Sequence, residues 1–190
     1  MAGYKRVKRA ADAVLSAAAL GVLSPLFAVT AAAIAIDDGR PVIYTQDRVG
    51  KGNELFKIYK FRTMKTGTPC ASSSRLRDTD AVTRVGRLLR ATSLDELPQL
   101  MNVLKGDMSL VGYRPLIPLE SEIREKRLQA GIYEDPPGLT GWAQVNGRAA
   151  IGDDLKVAYD KEYKEKQSAL FDMKILFNTV LQVLTRKDVS

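Results

Sequence analysis

The sequence predicts an α+β fold in two parts. Residues 1–38 read as a membrane-inserted, re-entrant helix, kinked at Ser24-Pro25 and returning to the side it entered. Residues 39–190 read as a mostly helical domain with one small β-hairpin and several amphipathic helices. Three observations lead there: a 24-residue uncharged run from Ala13 to Ile36, a β-prone stretch broken by glycines over 41–64, and apolar residues at helical spacing through much of the rest.

The uncharged run follows Lys5, Arg6, Lys8 and Arg9, and its length makes it a candidate for a ~30 Å hydrocarbon core. A cleaved signal peptide shares the basic start, but the apolar run is longer than a usual signal core. Pro25 lies mid-run, so each half extends ~18 Å as helix. Proline deletes a backbone donor and clashes with the previous turn, which favours a kink, and the Ser24 hydroxyl is placed to satisfy a freed carbonyl. Charge separates re-entry from a straight span. Residues 1–36 carry four bases and one acid; the remainder carries 25 bases and 21 acids. Both flanks are basic, and a helix that dips and returns keeps both on one side.

Composition then narrows the chemistry. A chain of 190 residues with net charge +7 buries a real core and suits a polyanionic partner: nucleic acid, anionic lipid or a phosphorylated substrate. There is no histidine, which removes Ser-His and Cys-His triads, imidazole acid/base catalysis and the usual zinc sites. Cys70 is the single cysteine and excludes an internal disulfide. Catalysis is left to carboxylates, Lys, Arg, Tyr or an oxygen-liganded metal.

In the hairpin, Val42, Ile43 and Tyr44 precede a Gly50/Gly52/Asn53 turn, and Leu55, Phe56, Ile58, Tyr59 and Phe61 follow it. Lys57, Lys60 and Arg62 set cations among the aromatics, as a solvated face or a phosphate-facing cluster. No P-loop surrounds Lys51. Residues 65–80 are polar and turn-rich. Arg84, Arg87 and Arg90 then recur every third residue on a short helix.

The central stretch is Ser93–Gly112. Leu94, Leu97, Leu100, Met101 and Leu104 predict a buried helix face, Asp95, Gln99 and Asn102 a polar stripe off that face, and Lys105-Gly106 the stop. Ser93 and Glu96 have capping-box spacing. If Pro98 is instead the first helical residue, Asp95 and Glu96 lie just outside the helix. Free N–H groups at a helix start would favour an ionised Asp95.

Beyond it, 116–134 reads as a charged helix with Leu119, Ile123 and Leu128 on one side, either on the core or among lipid head groups. PPGLTGWAQVNGR, 136–148, is a glycine-rich loop in which Gly138, Gly141 and Gly147 permit close backbone approach and Arg148 is suited to grip a diphosphate. From Asp153 onward the chain is helical, with Leu170, Phe171, Ile175, Leu176, Phe177, Val180 and Leu184 packing on the body or the membrane.

LFKIYKFRTM, LRATSLDELPQLMNVLKGDMSLVGYRP and PGLTGWAQVNGR, in this order after one membrane segment, resemble the bacterial sugar transferases, the monotopic polyprenyl-phosphate phosphoglycosyl transferases. The likeness runs from the basic N-terminus with Ser24-Pro25 to the C-terminal helix. It implies transfer of a phosphosugar from a UDP-sugar to a polyprenyl phosphate such as undecaprenyl phosphate, giving polyprenyl diphosphosugar and UMP and initiating glycoconjugate assembly. It also implies Mg2+, a covalent aspartyl-phosphosugar on Asp95, and Glu96 as metal ligand with Asp95 or as acid/base partner. Lys60, Arg62, Arg90, Arg114, Arg148 and Asp160 would serve the substrate, Asp160 and Tyr163 matching motif positions.

The likeness further implies residence at the cytoplasmic face of the bacterial inner membrane, interfacial helices among membrane lipids, no nucleic-acid partner and association with later glycosyltransferases. One departure stands out: Tyr113-Arg114-Pro115 replaces the usual Pro-Arg-Pro and forgoes one rigid residue. A basic anchored nucleic-acid binder lacks a helix-turn-helix, zinc or RNA-recognition signature. A phosphatase of the aspartyl-phosphate type would use the same carboxylate but transfer to water.

Overall fold

The computed structural model describes residues 2–68, 81–147 and 151–185. Ala2–Asp38 forms one uninterrupted helix, α1, with Pro25 inside it. The carbonyl that Pro25 cannot serve is that of Gly21, and the Ser24 hydroxyl donates to it at 2.8 Å. The lost bond is therefore replaced locally, and the helix continues.

Both ends of α1 are bonded to the rest of the chain. Near its start, Lys8 Nζ lies 2.6 Å from Asp172, Tyr4 donates to the same carboxylate, and Asp12 accepts from Ser109. Arg9 donates to the carbonyls of Val103 and Leu104. Near its end, Ile34 is buried with Phe61 and Leu89, while Asp37 and Asp38 accept from the amides of Val85 and Thr66. Between, Val7, Val14, Val22, Val29 and Ile36 are 66–86% exposed along one stripe.

The hairpin forms as the sequence predicts. β1 (Ile43–Val49) pairs antiparallel with β2 (Leu55–Phe61), Tyr44 opposite Lys60 and Arg48 opposite Phe56. A 3-10 turn at Lys51–Asn53 joins them, with Gly52 and Asn53 at positive φ. Paired residues share a face, so Tyr44, Gln46 and Arg48 lie on the same side as Phe56, Ile58 and Lys60. That side packs on α3 (Gln99–Lys105) and the residues just after it, through Ile58 against Val103 and Met108.

α3 differs from expectation. Leu100 and Val103 are buried, but so are Gln99 and Asn102, whereas Met101 and Leu104 face outward. Asn102 is drawn inward by the hairpin's backbone: its side chain accepts from Tyr59 N at 3.0 Å and donates to Lys57 O at 2.8 Å. Gly106, at φ 99°, stops the helix where the sequence places the stop.

α2 (Arg84–Ala91) is capped by Thr83, which accepts from Gly86 N. β3 (Ser109–Val111) and β4 (Gly138–Thr140) form a short parallel pair that the sequence does not announce. Part of the expected 136–148 loop is thus a strand, followed by α5 (Trp142–Gly147). Its glycines admit backbone: a Cβ on Gly138 would stand 2.0 Å from Gly112 N, and one on Gly141 1.9 Å from Gly112 O.

α4 (Ser121–Gln129) is shorter than expected and docks through Ile123 and Arg127, leaving Leu119 and Leu128 exposed. The expected C-terminal helix is two, α6 (Asp153–Lys166) and α7 (Ala169–Thr185), broken at Gln167. Ile175 is buried with Val111 and Tyr163; Leu170, Phe177 and Val180 are exposed.

Asn102→Ala strands the Tyr59 amide and removes three side-chain hydrogen bonds, so it should lower unfolding stability by about 2–3 kcal/mol. Denaturant titration in detergent checks this, and an unchanged midpoint would contradict it.

Candidate active site

Asp95 and Glu96 lie on a 3-10 turn, Leu94–Glu96, between α2 and α3. Pro98 stands immediately before α3 in helical conformation, so the pair is outside the helix. Ser93 adopts a left-handed conformation, φ 55°, and makes no side-chain cap. The capping box therefore does not form, and Glu96 turns toward the hairpin.

There Lys60 Nζ meets Glu96 Oε1 at 2.6 Å, and Arg114 Nη2 approaches the same oxygen at 3.8 Å. Strand alternation explains the first contact: Ile58 buries against α3, so Lys60, two residues on, points the same way. Arg48, Ile58, Gln99, Pro115, Gly138 and Leu139 complete the walls of this cleft. Gln99 is buried on the first turn of α3. Arg90, from the last turn of α2, donates through Nε to Thr63 at 3.0 Å.

The two carboxylates are electrostatically unequal. Burial and the adjacent Glu96 charge push the Asp95 carboxyl up to about 6, against the pull of Lys60 and Arg90. Burial would raise Glu96 too, but Lys60, Arg114 and Arg48 overcome it and hold that carboxyl well below the ordinary range. The shift runs against the lowering expected at a helix start, because burial and like charge outweigh it, and a carboxyl near 6 still ionises at neutral pH. Four cations (Arg48, Lys60, Arg90 and Arg114) act on the two carboxylates, concentrating positive charge suited to a phosphorylated ligand.

Of the residues singled out from sequence, Asp95, Glu96, Lys60, Arg90 and Arg114 come together. Arg62 does not: β2 ends at Phe61, and the Arg62 guanidinium donates to Asp38 O and Gly39 O at the end of α1. Asp160 is also outside the cleft, buried on α6 against Arg127 at 2.6 Å, and burial raises its carboxyl. Arg148 and Cys70 lie outside the described residues, as does most of the loop at 65–80. Arg84 and Arg87 are exposed, and Lys57 pairs with Asp47 at the surface.

Sequence reasoning missed Arg48. Its signal was the alternation Tyr44-Gln46-Arg48, which shares a face with Lys60 once the hairpin register is fixed. Tyr113, the departure from Pro-Arg-Pro, is a core residue in edge-to-face contact with Tyr133 at 5.4 Å.

Among the described residues no group of three or more Asp, Glu, Cys or His side chains could hold a metal by itself. Two adjacent carboxylates nevertheless fit Mg2+, which commonly takes one or two carboxylates and completes its shell with waters and substrate phosphates.

The family model described as bacterial sugar transferase matches residues 3–186. The chain belongs to that family. A UDP-N-acetylgalactosamine-undecaprenyl-phosphate N-acetylgalactosaminephosphotransferase of Aeromonas hydrophila is 40% identical over 188 residues, 96% of this chain and 44% of that protein. EpsL of Bacillus subtilis (strain 168), an uncharacterized sugar transferase, is 41% identical over 97% of this chain and 90% of its own length. A UDP-glucose:undecaprenyl-phosphate glucose-1-phosphate transferase of Caulobacter vibrioides is 40% identical over 94% of this chain and 70% of its own. The chain thus spans under half of the Aeromonas sugar transferase and most of the Bacillus one.

Lys60→Met should raise both carboxyls of this sugar transferase, Glu96 more than Asp95, since Glu96 loses its 2.6 Å partner. Carbon-13 NMR titration of labelled Asp and Glu in metal-free protein checks this. A Glu96 resonance that titrates unchanged would refute the assigned charge balance.

Proposed function

We propose that this sugar transferase moves a phosphosugar from a UDP-sugar to undecaprenyl phosphate, the opening step of a polysaccharide or other glycoconjugate. One observation carries the reading: in a cleft lined by cations, Lys60 neutralises Glu96 while the neighbouring carboxylate, Asp95, keeps a more basic character. A carboxylate of that kind is a competent nucleophile toward phosphorus. The Aeromonas and Caulobacter relatives bear names of this reaction type.

In the first half-reaction an Asp95 carboxylate oxygen attacks the phosphorus that carries the sugar. The P–O bond to UMP breaks, UMP leaves with the electron pair, and an aspartyl-phosphosugar remains. In the second, a phosphate oxygen of undecaprenyl phosphate attacks the same phosphorus and the carboxylate is regenerated. Lys60, Arg90 and Arg114 would balance the phosphoryl oxygens, Lys60 from a mostly buried position and Arg114 from a half-exposed one. Asp95 and Glu96 would hold Mg2+, which when bound supplies further charge neutralisation on the diphosphate.

The lipid acceptor requires a membrane setting. α1 has mean hydropathy 2.2 over its most apolar window, long enough to cross a bilayer, with only 11% of that window buried. Both of its ends are bonded to one body, through Lys8 and Arg9 at the start and Ile34 and Asp37 at the finish. A helix spanning the bilayer would place those ends on opposite sides, where one body could not bond both. The reading is therefore re-entrant, with the outward stripe from Val7 to Ile36 in lipid and the cleft on the cytoplasmic face.

Purified protein given Mg2+, undecaprenyl phosphate and a panel of UDP-sugars should release UMP with at least one sugar. Silence across the panel would sink the reading. Asp95→Asn should reduce turnover by about a thousandfold or more and abolish any trapped phosphosugar adduct. Asn-substituted protein that turns over would remove Asp95 as nucleophile.

For topology, Gly3→Cys and Arg40→Cys, each made with Cys70→Ser, should both be labelled by an impermeant thiol reagent from the cytoplasmic side only. Labelling from opposite sides would establish a span.

A further inference from the structure

The segment Tyr113–Leu116 carries Arg114 into the cleft without belonging to a helix or strand. Irregular backbone with no ladder must find donors for its carbonyls elsewhere. Here four consecutive carbonyls are each held. Tyr113 O accepts from Gly138 N at 2.8 Å and Leu116 O from Val49 N at 2.9 Å. The middle two are held by arginine side chains: Arg127 Nη1 donates to Arg114 O at 2.7 Å, and Arg48 Nη1 to Pro115 O at 3.2 Å.

Arg127 is unusual among these donors. It is 1% exposed, and its other terminal nitrogen faces Asp160 at 2.6 Å in a pair of which both side chains are 2% exposed. Its guanidinium lies 5.3 Å from the centre of the Tyr113 ring, and that ring is braced edge-on by Tyr133. A buried ion pair offers little net stability over a well-packed apolar pair. What it does offer is direction. A planar fork paired with a carboxylate through Nη2 and laid over a ring is fixed in direction; Nε finds no partner among the described residues, and Nη1 is left with one orientation. That orientation points at Arg114 O.

We propose that Arg127 is a positioning residue: clamped by Asp160 and supported by Tyr113, it fixes the Arg114 backbone so that the Arg114 guanidinium meets Glu96 and the substrate. The inference rests on reading the cleft as the phosphosugar-transfer site. It gives Asp160 a role through Arg127 rather than on the ligand. It also assigns a use to Tyr113, whose ring aligns the group that stiffens the segment in place of a proline.

The test combines an activity-independent readout with a double-mutant cycle. In Arg127→Lys one ammonium keeps the charge opposite Asp160 but cannot reproduce the fork. Amide hydrogen exchange should then rise about tenfold or more in peptides covering 112–118, the equivalent of one lost charge-assisted hydrogen bond, with α6 peptides unchanged. In the same variant kcat/KM for the UDP-sugar should fall about tenfold or more, whereas in an Arg114→Gln background Arg127→Lys should add less than about twofold.

A merely structural Arg127 predicts faster exchange in α4 and α6 as well, and additive losses in the cycle; either result overturns the proposal. If Arg127→Lys folds poorly, Arg127→Met with Asp160→Leu removes both buried charges at once and should show the same local exchange. Wild-type protein that releases no UMP removes the transferase reading alone, and the exchange pattern still decides the role of Arg127. Wild-type protein that turns over, with Arg127→Lys exchanging and reacting like it, overturns only the positioning role.

Discussion

Two carboxylates on neighbouring residues cannot share a partly buried site as equals, and the contact between Lys60 and Glu96 divides their labour. By neutralising Glu96 at 2.6 Å it leaves Asp95 as the more basic of the two. The contact joins residues 36 positions apart, so it exists only if the hairpin and the 3-10 turn hold a fixed relation. Asn102 supplies that relation by bonding both a strand amide and a strand carbonyl of β2. Ile58 supplies the pressure, packing on Val103 and Met108 so that the same strand face must present Lys60. Register, helix docking and charge balance are thus one constraint seen at three scales.

α1 poses a different problem. Most of its apolar window is left uncovered by the rest of the chain, and what fastens its two ends is largely polar. Lys8 sits between Asp12 and Asp172, at 3.6 and 2.6 Å, while Tyr163 and Ser109 donate to the same two carboxylates. Breaking such a buried pair on one side costs about 3–5 kcal/mol, because the remaining charge has no water to turn to. Arg9 adds a second tie, donating to the carbonyls of Val103 and Leu104 in the last turn of α3, the first of which also accepts from Gly106 N. Through α3 the apolar helix and the carboxylate turn share one mechanical frame.

Much of this was written locally. The hairpin was legible because β-prone residues flank a glycine turn, and the Gly106 stop because a basic residue precedes a glycine. The position of Pro98 offered two geometries for Asp95 and Glu96, and its lack of an N–H favours the one found, with the pair ahead of α3. What could not be read depends on distant backbone. β3 and β4 are three residues each, and their pairing relies on glycines 112, 138 and 141 meeting across the fold. Asn102 looked like a surface polar residue until a strand edge claimed it. Arg62 and Arg48 exchanged expectations for the same reason: one lies past the strand's end, the other on the face that the register turns toward Lys60.

Tyr113 stands where the family resemblance implies a proline, and here the constraint on the segment has a different source. Proline restricts φ by its ring and needs no neighbours to do so. Tyrosine at the same place leaves the backbone free in isolation, so the restriction must come from packing. It comes from Tyr133 on one edge of the ring and the Arg127 guanidinium on its face. The cost is dependence on two other elements, α4 and the 3-10 turn Ile132–Glu134, both of which must dock before Arg114 is aimed. A segment stiffened this way is rigid only in the folded protein. The arginine that it carries is therefore ordered by the same packing that builds the core beneath it.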